Sequence, residues 1–448
     1  MIYDWIYRNV IFPGFHAVKK DGVNSALKRS TEAGALSPES LEKLQSKKLQ
    51  DLLCHAYESV PYYHKCLSDA GVDRVEDITP ALIRQLPVMT KPLFRDHFNS
   101  LISSRVDGNA TIDNSTSGSS GEPFFFKTDM KSIASRVATV IRNYGWAGIS
   151  LGEKEVRLWG AQMDIKKSES IRSVIRSLIT RQKILSTYTM TDNDLANYAA
   201  IINQFKPTML VSYPGPLSVF ADYCRDNHIK LPSVKAMVTS AEMLFPHQRE
   251  NIESVFGIKI FNRYGSREFG DIAQEDKNHD GLRVNSDRFF VEILRDDLSP
   301  CSRGEKGELY ITDLDNYGMP FIRYKIGDQA SWAEQENFYQ GMPFPKLNQI
   351  EGRSLDVVIA PNGNRLGGTF WTILLRKDKA IKEFQVIQDS SSLLIIKYVP
   401  EESMNSGILD ALTADIKAKC GEDFDVRFET VDKFTTSDNG KHRLIIVR

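Results

Sequence analysis

The sequence predicts an α/β protein, with a large N-terminal domain of mixed and parallel sheets flanked by helices and a small α+β C-terminal domain. Three observations predict it. Between residues 155 and 262, short apolar runs alternate with stretches of helical period, the pattern of βαβ units around a mostly parallel sheet. Beyond about residue 287, strand-like runs follow one another through turns alone. From Gly352 onward a strand, a helix and two further strands form a separate small pattern. The expected boundaries are 1–352 and 353–448, with residues 1–50 as an N-terminal helical segment.

The elements follow in order. Tyr3, Trp5, Ile6, Tyr7, Val10, Ile11 and Phe12 form a dense apolar cluster. It fits first a helix docked on the domain or on a partner; the alternative is a segment of residues 1–15 resting in a membrane interface. Ser37 offers an N-cap, Pro38 suits the first helical position and Glu39 puts an acid in the first turn, so a helix is predicted over 38–60 and ended by Pro61. Lys91-Pro92, after Leu86-Pro87, marks a turn. A helix over 130–147 presents Ala134, Val137, Ala138, Ile141 and Trp146 as its buried stripe. Strands are expected at 156–159, 208–211, 236–239 and 259–262, with helices near 192–205, 217–227 and 246–256. Then come strands at 289–294, 307–312 and 321–324. The small domain takes strands at 393–399, 425–431 and 443–447 around a helix at 407–419.

Composition bounds the function. The 448 residues are 41% hydrophobic and 26% charged, ordinary for a soluble globular chain of two or three domains. A formal net charge of −1 offers nucleic acid no basic field. The five cysteines are scattered without a Cys-x-x-Cys pair, which suits reduced thiols in the cytosol. No signal-like N-terminus and no apolar run of about 18 residues is present, so no transmembrane helix is expected.

The chemistry-bearing motifs begin with Thr116-Ser117-Gly118-Ser119-Ser120-Gly121. Glycines let backbone N–H groups approach an anion, and the hydroxyls add donors, so the stretch is either a polyphosphate cradle or a flexible Ser/Gly linker. It is not a Walker loop, which needs four residues between its glycines and a Gly-Lys-Ser/Thr ending. Tyr264-Gly265-Ser266-Arg267-Glu268 sits just after the strand at 259–262, where open α/β sheets bind ligands. A carboxylate there suits Mg²⁺ beside phosphate oxygens. Arg323 through Asp328 reads as a strand ending in Gly-Asp: Asp328 can hold vicinal hydroxyls and Arg323 can face an anion, or the block is a hairpin with a solvated rim. Arg353 lies in a polar turn, and Lys441 follows a flexible Ser-Asp-Asn-Gly stretch from which a lysine can swing as a point charge. Asp276 to Asp287 opens like an EF-hand loop, but the strand that follows favours a β-turn.

In order and spacing this set resembles the adenylate-forming superfamily of acyl-CoA synthetase-like enzymes, and within it phenylacetate–CoA ligase and the capsular-polysaccharide biosynthesis ligases. The resemblance spans nearly the whole chain and includes Tyr62-Tyr63, Leu86-Pro87 with Thr90-Lys91, and Phe384 to Gln388. It implies ATP and Mg²⁺ as cofactors, with CoA as an acceptor in some members. The loop from Thr116 to Gly121 would hold the β- and γ-phosphates. Ser240-Ala241-Glu242 would lie along the adenine, Tyr264 with Gly265 and Ser266 would border the nucleotide, and Glu268 would bind Mg²⁺. Asp328, assisted by Arg353, would hold the ribose. Lys441 would reach the carboxylate and α-phosphate, and the domain beyond about residue 353 would be a mobile lid. Trp159, Phe126, Tyr264 and Tyr213 to Pro216 are candidate walls for the acid.

The implied function is activation of a carboxylic acid as its acyl-adenylate, then transfer to CoA or to an amine or hydroxyl acceptor. A carboxylic acid is already ionised near neutrality, so this chemistry needs charge neutralisation and in-line geometry rather than a base. Two departures stand out. Arg267 occupies the place usually taken by Thr or Ser at the α-phosphate, and Leu355 occupies the usual hinge position, with Asp356 next to it. They keep open the alternative of a non-catalytic nucleotide-binding scaffold. No cysteine lies between Cys224 and Cys301, so the Cys/His zinc site of some relatives is not expected.

Overall fold

The computed structural model describes residues 2–116, 124–159, 181–187, 190, 192–351, 358–361, 365–366, 368–375, 380–400, 406–432, 434 and 445–447. The chain divides into two compact units, residues 1–115 with 125–352, and residues 116–124 with 353–448.

In the large unit the N-terminus is helical from Ile2 to Lys19, with a π-helical stretch over Tyr7–Ile11. Tyr7 and Phe12 bury against Val23, Ala26, Ala134 and Ala138, so one face of this segment docks on the unit. Next, Ser37 caps the helix Pro38–Ser59 through Ser40 N at 3.2 Å, and Pro61 does more than end it: it opens a second helix, Pro61–Asp69.

Strands β1 (Thr111–Thr116) and β2 (Phe124–Asp129) form a two-stranded sheet. The main sheet contains β3 (Glu155–Trp159), β4 (Gln182–Ser186), β5 (Met209–Ser212), β6 (Ala236–Thr239), β7 (Ile260–Ser266) and β8 (Gly270–Glu275). It continues through β9 (Leu282–Val284), β10 (Phe289–Leu294), β11 (Gly307–Asp313), β12 (Tyr324–Trp332) and β13 (Lys346–Glu351). Its order is β10-β11-β12-β13-β9-β8-β7-β6-β5-β3-β4. From β4 to β7 every pairing is parallel, and from β7 to β10 every pairing is antiparallel. Strand β7 belongs to both halves.

Side-chain alternation explains why the parallel half is covered on both faces. Leu210 points to the core under helices Asp192–Phe205, Pro214–Asp226 and Pro246–Phe256, where it meets Ile202, Phe220 and Ile252. Met209 and Val211 point the other way, onto Tyr144 and Val140 of the helix Met130–Trp146. In the small unit β14 (Val358–Ile359) and β15 (Arg365–Leu366) pair antiparallel, and β16 (Ile381–Gln388), β17 (Leu393–Pro400), β18 (Asp425–Thr430) and β19 (Ile445–Val447) form a sheet of order β18-β17-β16-β19. Trp371, Leu412 and Ile416 fill its core beside Phe384 and Ile396.

The structure corrects several expectations. The helix expected at 217 begins at Pro214, because proline fits a first helical turn. The strand expected to end at 262 runs to Ser266, since it turns into a hairpin with β8. The strand expected at 321 starts only at Tyr324; Arg323, at φ 50, breaks the extended path. Gly327-Asp328 therefore lies inside β12, not at a strand end. The Asp276 carboxylate accepts a hydrogen bond from Arg283 Nε at 2.9 Å, and Asp287 pairs with Arg142 at 2.7 Å, which fixes this segment as a turn between strands. No described helix is long and apolar enough to cross a membrane.

Candidate active site

Strands β3, β5, β6 and β7 run parallel, so their carboxyl ends share one edge, where such sheets place ligands. Trp159 ends β3 and stacks on Tyr213, just past β5, with centroids 4.3 Å apart and planes 27° from parallel. After β6, Ser240 N donates to Ser212 O at 3.1 Å, which holds the turn against its neighbour strand. Ala241 takes a left-handed conformation, φ 70, uncommon for a residue with a Cβ and a mark of a constrained turn. The Glu242 carboxylate lies over the first turn of helix Pro214–Asp226: a Cβ on Gly215 would stand 3.4 Å from Glu242 Oε2. A helix N-terminus favours a negative group.

The Tyr264–Glu268 motif closes the β7–β8 hairpin. Tyr264 OH donates to Asp328 Oδ2 at 2.7 Å, linking two residues expected to flank one nucleotide. A bulge sets this up: β11 advances from Glu308 to Tyr310 while β12 advances from Lys325 to Gln329, with Gly327 at φ 92 between them. Gly265 is required by the backbone, since a Cβ there would lie 2.4 Å from Gly270 O. Ser266 Oγ accepts from Phe269 N at 3.3 Å and so stabilises the turn. Arg267 Nε donates to Ser115 O at 3.2 Å, next to the start of the Thr116 loop, and has no ion pair among the described residues.

Glu268 is the most enclosed residue of the motif, at 5% exposure. Tyr324 OH donates to its Oε1 at 3.4 Å, and Lys91 Nζ stands 3.7 Å from the same oxygen. Below it, Phe269, Phe321, Phe94 and Tyr324 pack edge-to-face and stacked, with Phe94 and Phe321 centroids 4.7 Å apart. Phe126 is buried in this cluster, edge-to-face against Phe321.

Arg323 does not face the site. Its Nε bonds Glu292 Oε2 at 3.1 Å and its Nη1 bonds the carbonyls of Leu86 and Arg84, at 2.8 and 3.2 Å. Met89 N bonds Arg323 O at 2.9 Å and Lys325 N bonds Met89 O at 2.8 Å. Arg323 thereby pins the segment that presents Lys91 to Glu268. Thr90 caps the short helix that Lys91 begins, through Leu93 N at 3.4 Å.

Two further residues, Arg136 and Tyr324, complete the arrangement. Arg136 donates to the carbonyl of Arg267 at 3.1 Å and to that of Glu268, holding the motif backbone from the Met130–Trp146 helix. Burial, with Arg288 nearby, brings its pKa down to about 10. Tyr324 lies within the Arg323–Asp328 block but was given no role. Nothing in the sequence near Arg136 marks it. Ser117, Gly118, Ser119, Ser120, Gly121, Arg353, Leu355, Asp356 and Lys441 lie outside the described residues. Thr116 ends β1, with its hydroxyl buried and without a hydrogen-bond partner among the described residues.

A parallel-to-antiparallel sheet carrying this edge, with a second α+β unit, is the fold of solved acyl-CoA ligases. The chain resembles a 2-hydroxyisobutyryl-CoA ligase solved with 2-HIB-AMP and CoA in the thioesterification state, at TM-score 0.65 and 18% identity, over 92% of this chain and 91% of that one. In sequence it is similar to Protein CapK of Staphylococcus aureus, 24% identical over 91% of this chain and 89% of that protein. Phenylacetate-coenzyme A ligase of Thermus thermophilus is 24% identical over 80% of each chain, and that of Escherichia coli 25% identical over 72% of this chain and 73% of that one. Residues 358–448 match the CapK C-terminal domain family.

Proposed function

We propose that this protein is an ATP- and Mg²⁺-dependent ligase that activates a carboxylic acid as its acyl-adenylate, releases pyrophosphate, and passes the acyl group to CoA or to an amine or hydroxyl acceptor. The observation that carries the proposal is the enclosed Glu268 carboxylate at the carboxyl edge of the sheet, beside the bonded Tyr264–Asp328 pair. Relatives named as CoA ligases and a structural neighbour holding an acyl adenylate support it. The relationship to CapK, with the match of the small domain to its family, supports a role in surface-polysaccharide synthesis.

In this proposal the residues divide the work as follows. Among the described residues the hydrogen bond from Tyr324 and the approach of Lys91 both fall on Glu268 Oε1, so Oε2 is proposed to take a hard cation, and one carboxylate plus phosphate oxygens suits Mg²⁺. Bound there, Mg²⁺ supplies neutralisation of phosphate charge. Lys91 and Tyr324 hold the carboxylate in place. Arg267, tied by Nε to Ser115, directs the rest of its guanidinium toward phosphates held by Thr116 to Gly121. Asp328 and Arg353 take the ribose hydroxyls, Tyr264 with Gly265 and Ser266 borders the nucleotide, and Ser240-Ala241-Glu242 lies along the base. The stacked Trp159 and Tyr213 form one wall for the acid. Lys441 brings the second positive charge to the reacting anions, and residues 353–448 act as a lid.

ATP–pyrophosphate exchange across aryl, aliphatic, hydroxy and amino acids is the test. One responsive acid is expected, and Lys441→Ala should abolish exchange while leaving ATP binding nearly intact. Absence of ATP binding in the wild-type protein would overturn the proposal.

A further inference from the structure

The opposite edge of the same parallel strands has a different character. Arg181, Lys154 and Lys235 each stand immediately before a strand, β4, β3 and β6, and Lys206 stands three residues before β5. With Arg8 and Trp5 they line a cavity of about 630 Å³. Among the described residues two acids, Asp4 and Glu153, line it with them. Three of the five cations are held by the fold. Arg181 pairs with Asp4 and so fastens the N-terminal helix, Arg8 Nε donates to Leu151 O at 3.2 Å, and Lys154 Nζ donates to Phe205 O at 2.9 Å. Lys206 and Lys235 are exposed.

The helix that borders this cavity is docked by Tyr7 and Phe12 and leaves apolar side chains outside. Trp5 is 63% exposed, Val10 54% and Ile6 36%. Trp5 lines the basic cavity, so the apolar and the cationic groups are neighbours.

We propose that this edge docks on a membrane surface carrying anionic lipid, with Trp5, Ile6 and Val10 entering the interfacial layer and the basic residues meeting headgroup phosphates. Charge complementarity selects the occupant: among the described residues five cations against two acids gather here, on a chain whose net charge is −1. A small soluble anion would account for the lysines. It would not account for exposed Ile6 and Val10, which lie outside the cavity lining. Stable reversible attachment needs two signals, apolar insertion and electrostatic attraction, and both are present at this one place. Tryptophan suits it, since its ring is amphipathic and favours the headgroup level. The attachment leaves the carboxyl edge of the sheet, with Glu268, on the side away from the lipid.

Flotation of the full chain with vesicles tests this. Binding is expected to phosphatidylcholine vesicles containing phosphatidylserine at about 0.1 M salt and to be lost when salt shortens the screening length severalfold. Lys206→Ala and Lys235→Ala should each weaken binding about fivefold. Trp5→Ala should weaken it further and remove the blue shift of tryptophan emission on vesicle addition. All three variants should keep the wild-type circular dichroism and melting temperature. Equal binding to neutral vesicles, no binding at low salt, or release of bound protein by millimolar inorganic phosphate would overturn the proposal, the last by making the cavity a free-phosphate site.

Discussion

Glu268 and Glu292 are two enclosed carboxylates in one unit, and their surroundings are built to opposite ends. Glu292 has a cation in hydrogen-bond contact, Arg323 Nε at 3.1 Å, and that guanidinium also satisfies two main-chain carbonyls. Glu268 has its cation at 3.7 Å and a hydroxyl at 3.4 Å, both on one oxygen. A buried charge without close partners is costly. The loose set around Glu268 among the described residues suits the cation-binding role proposed for it, and the tight set around Glu292 is what a structural tie needs. The contrast also separates residues that one sequence block placed together: Arg323 belongs to the tie, while Asp328, five residues on, accepts from Tyr264 and is proposed to hold the ribose.

The largest expected effect breaks the tie. Arg323→Met leaves Glu292 enclosed without its cation and should cost about 3–5 kcal/mol of stability, read as a fall in the urea midpoint. Burial already raises the Glu292 carboxyl above its ordinary range, against the opposing pull of Arg323. Without Arg323 it rises further. An acid whose folded pKa is raised contributes stability below its unfolded value, about 4.3, and loses it as pH rises through the folded value. The deficit of Arg323→Met should therefore be small near pH 5 and grow toward pH 8. A deficit that stays flat across that range would mean the lost carbonyl bonds, not the charge, dominate.

Glu268→Gln should do the reverse. Exchange of pyrophosphate should fall roughly 100-fold or more, because the carboxylate that would hold the cation is gone, and Mg²⁺ dependence should weaken. The urea midpoint should barely move, since Gln keeps the hydrogen bond from Tyr324. A large stability loss with normal exchange would exchange the roles of the two glutamates.

Much of this was legible in the sequence, for a physical reason. Apolar periodicity specifies strands and helices wherever an element is buried on a regular face, so β5, β6, the capped Pro38–Ser59 helix and the α/β class were all visible. Motif chemistry singled out Tyr264, Glu268 and Asp328 as candidates, but not that the first and last share a hydrogen bond, since that depends on the bulge at Gly327. For Arg323 the sequence leaves an anion site and a hairpin rim both open, because its partner, Glu292, lies 31 residues away in sequence. Arg136 was invisible because it acts on main-chain carbonyls, which no pattern of side chains reports.

Gly265 refines the comparison by testing a residue whose place in the motif is steric. Gly265→Ala puts a Cβ 2.4 Å from Gly270 O, a backbone atom that cannot swing away. The hairpin must spread, at about 1–3 kcal/mol. Stability and exchange should fall together, unlike either glutamate variant. A loss of exchange at full stability would instead give this glycine a direct role at the nucleotide.

The smallest effect distinguishes a positioning residue from the residue it positions. Tyr264→Phe keeps the ring that would border the nucleotide and removes only the hydroxyl that donates to Asp328 at 2.7 Å. A hydrogen bond to a charged group is worth about 1.5–3 kcal/mol, and water can replace part of it at this half-buried place. The KM for ATP should rise about tenfold with kcat little changed, because the interaction orients Asp328 in ground and transition states alike. Asp328→Asn should raise it further, and the double variant should be no worse than Asp328→Asn alone, as expected when one residue acts through the other. Additive losses would show that the tyrosine hydroxyl meets the nucleotide itself, and Tyr264 would then move from positioning Asp328 to binding beside it.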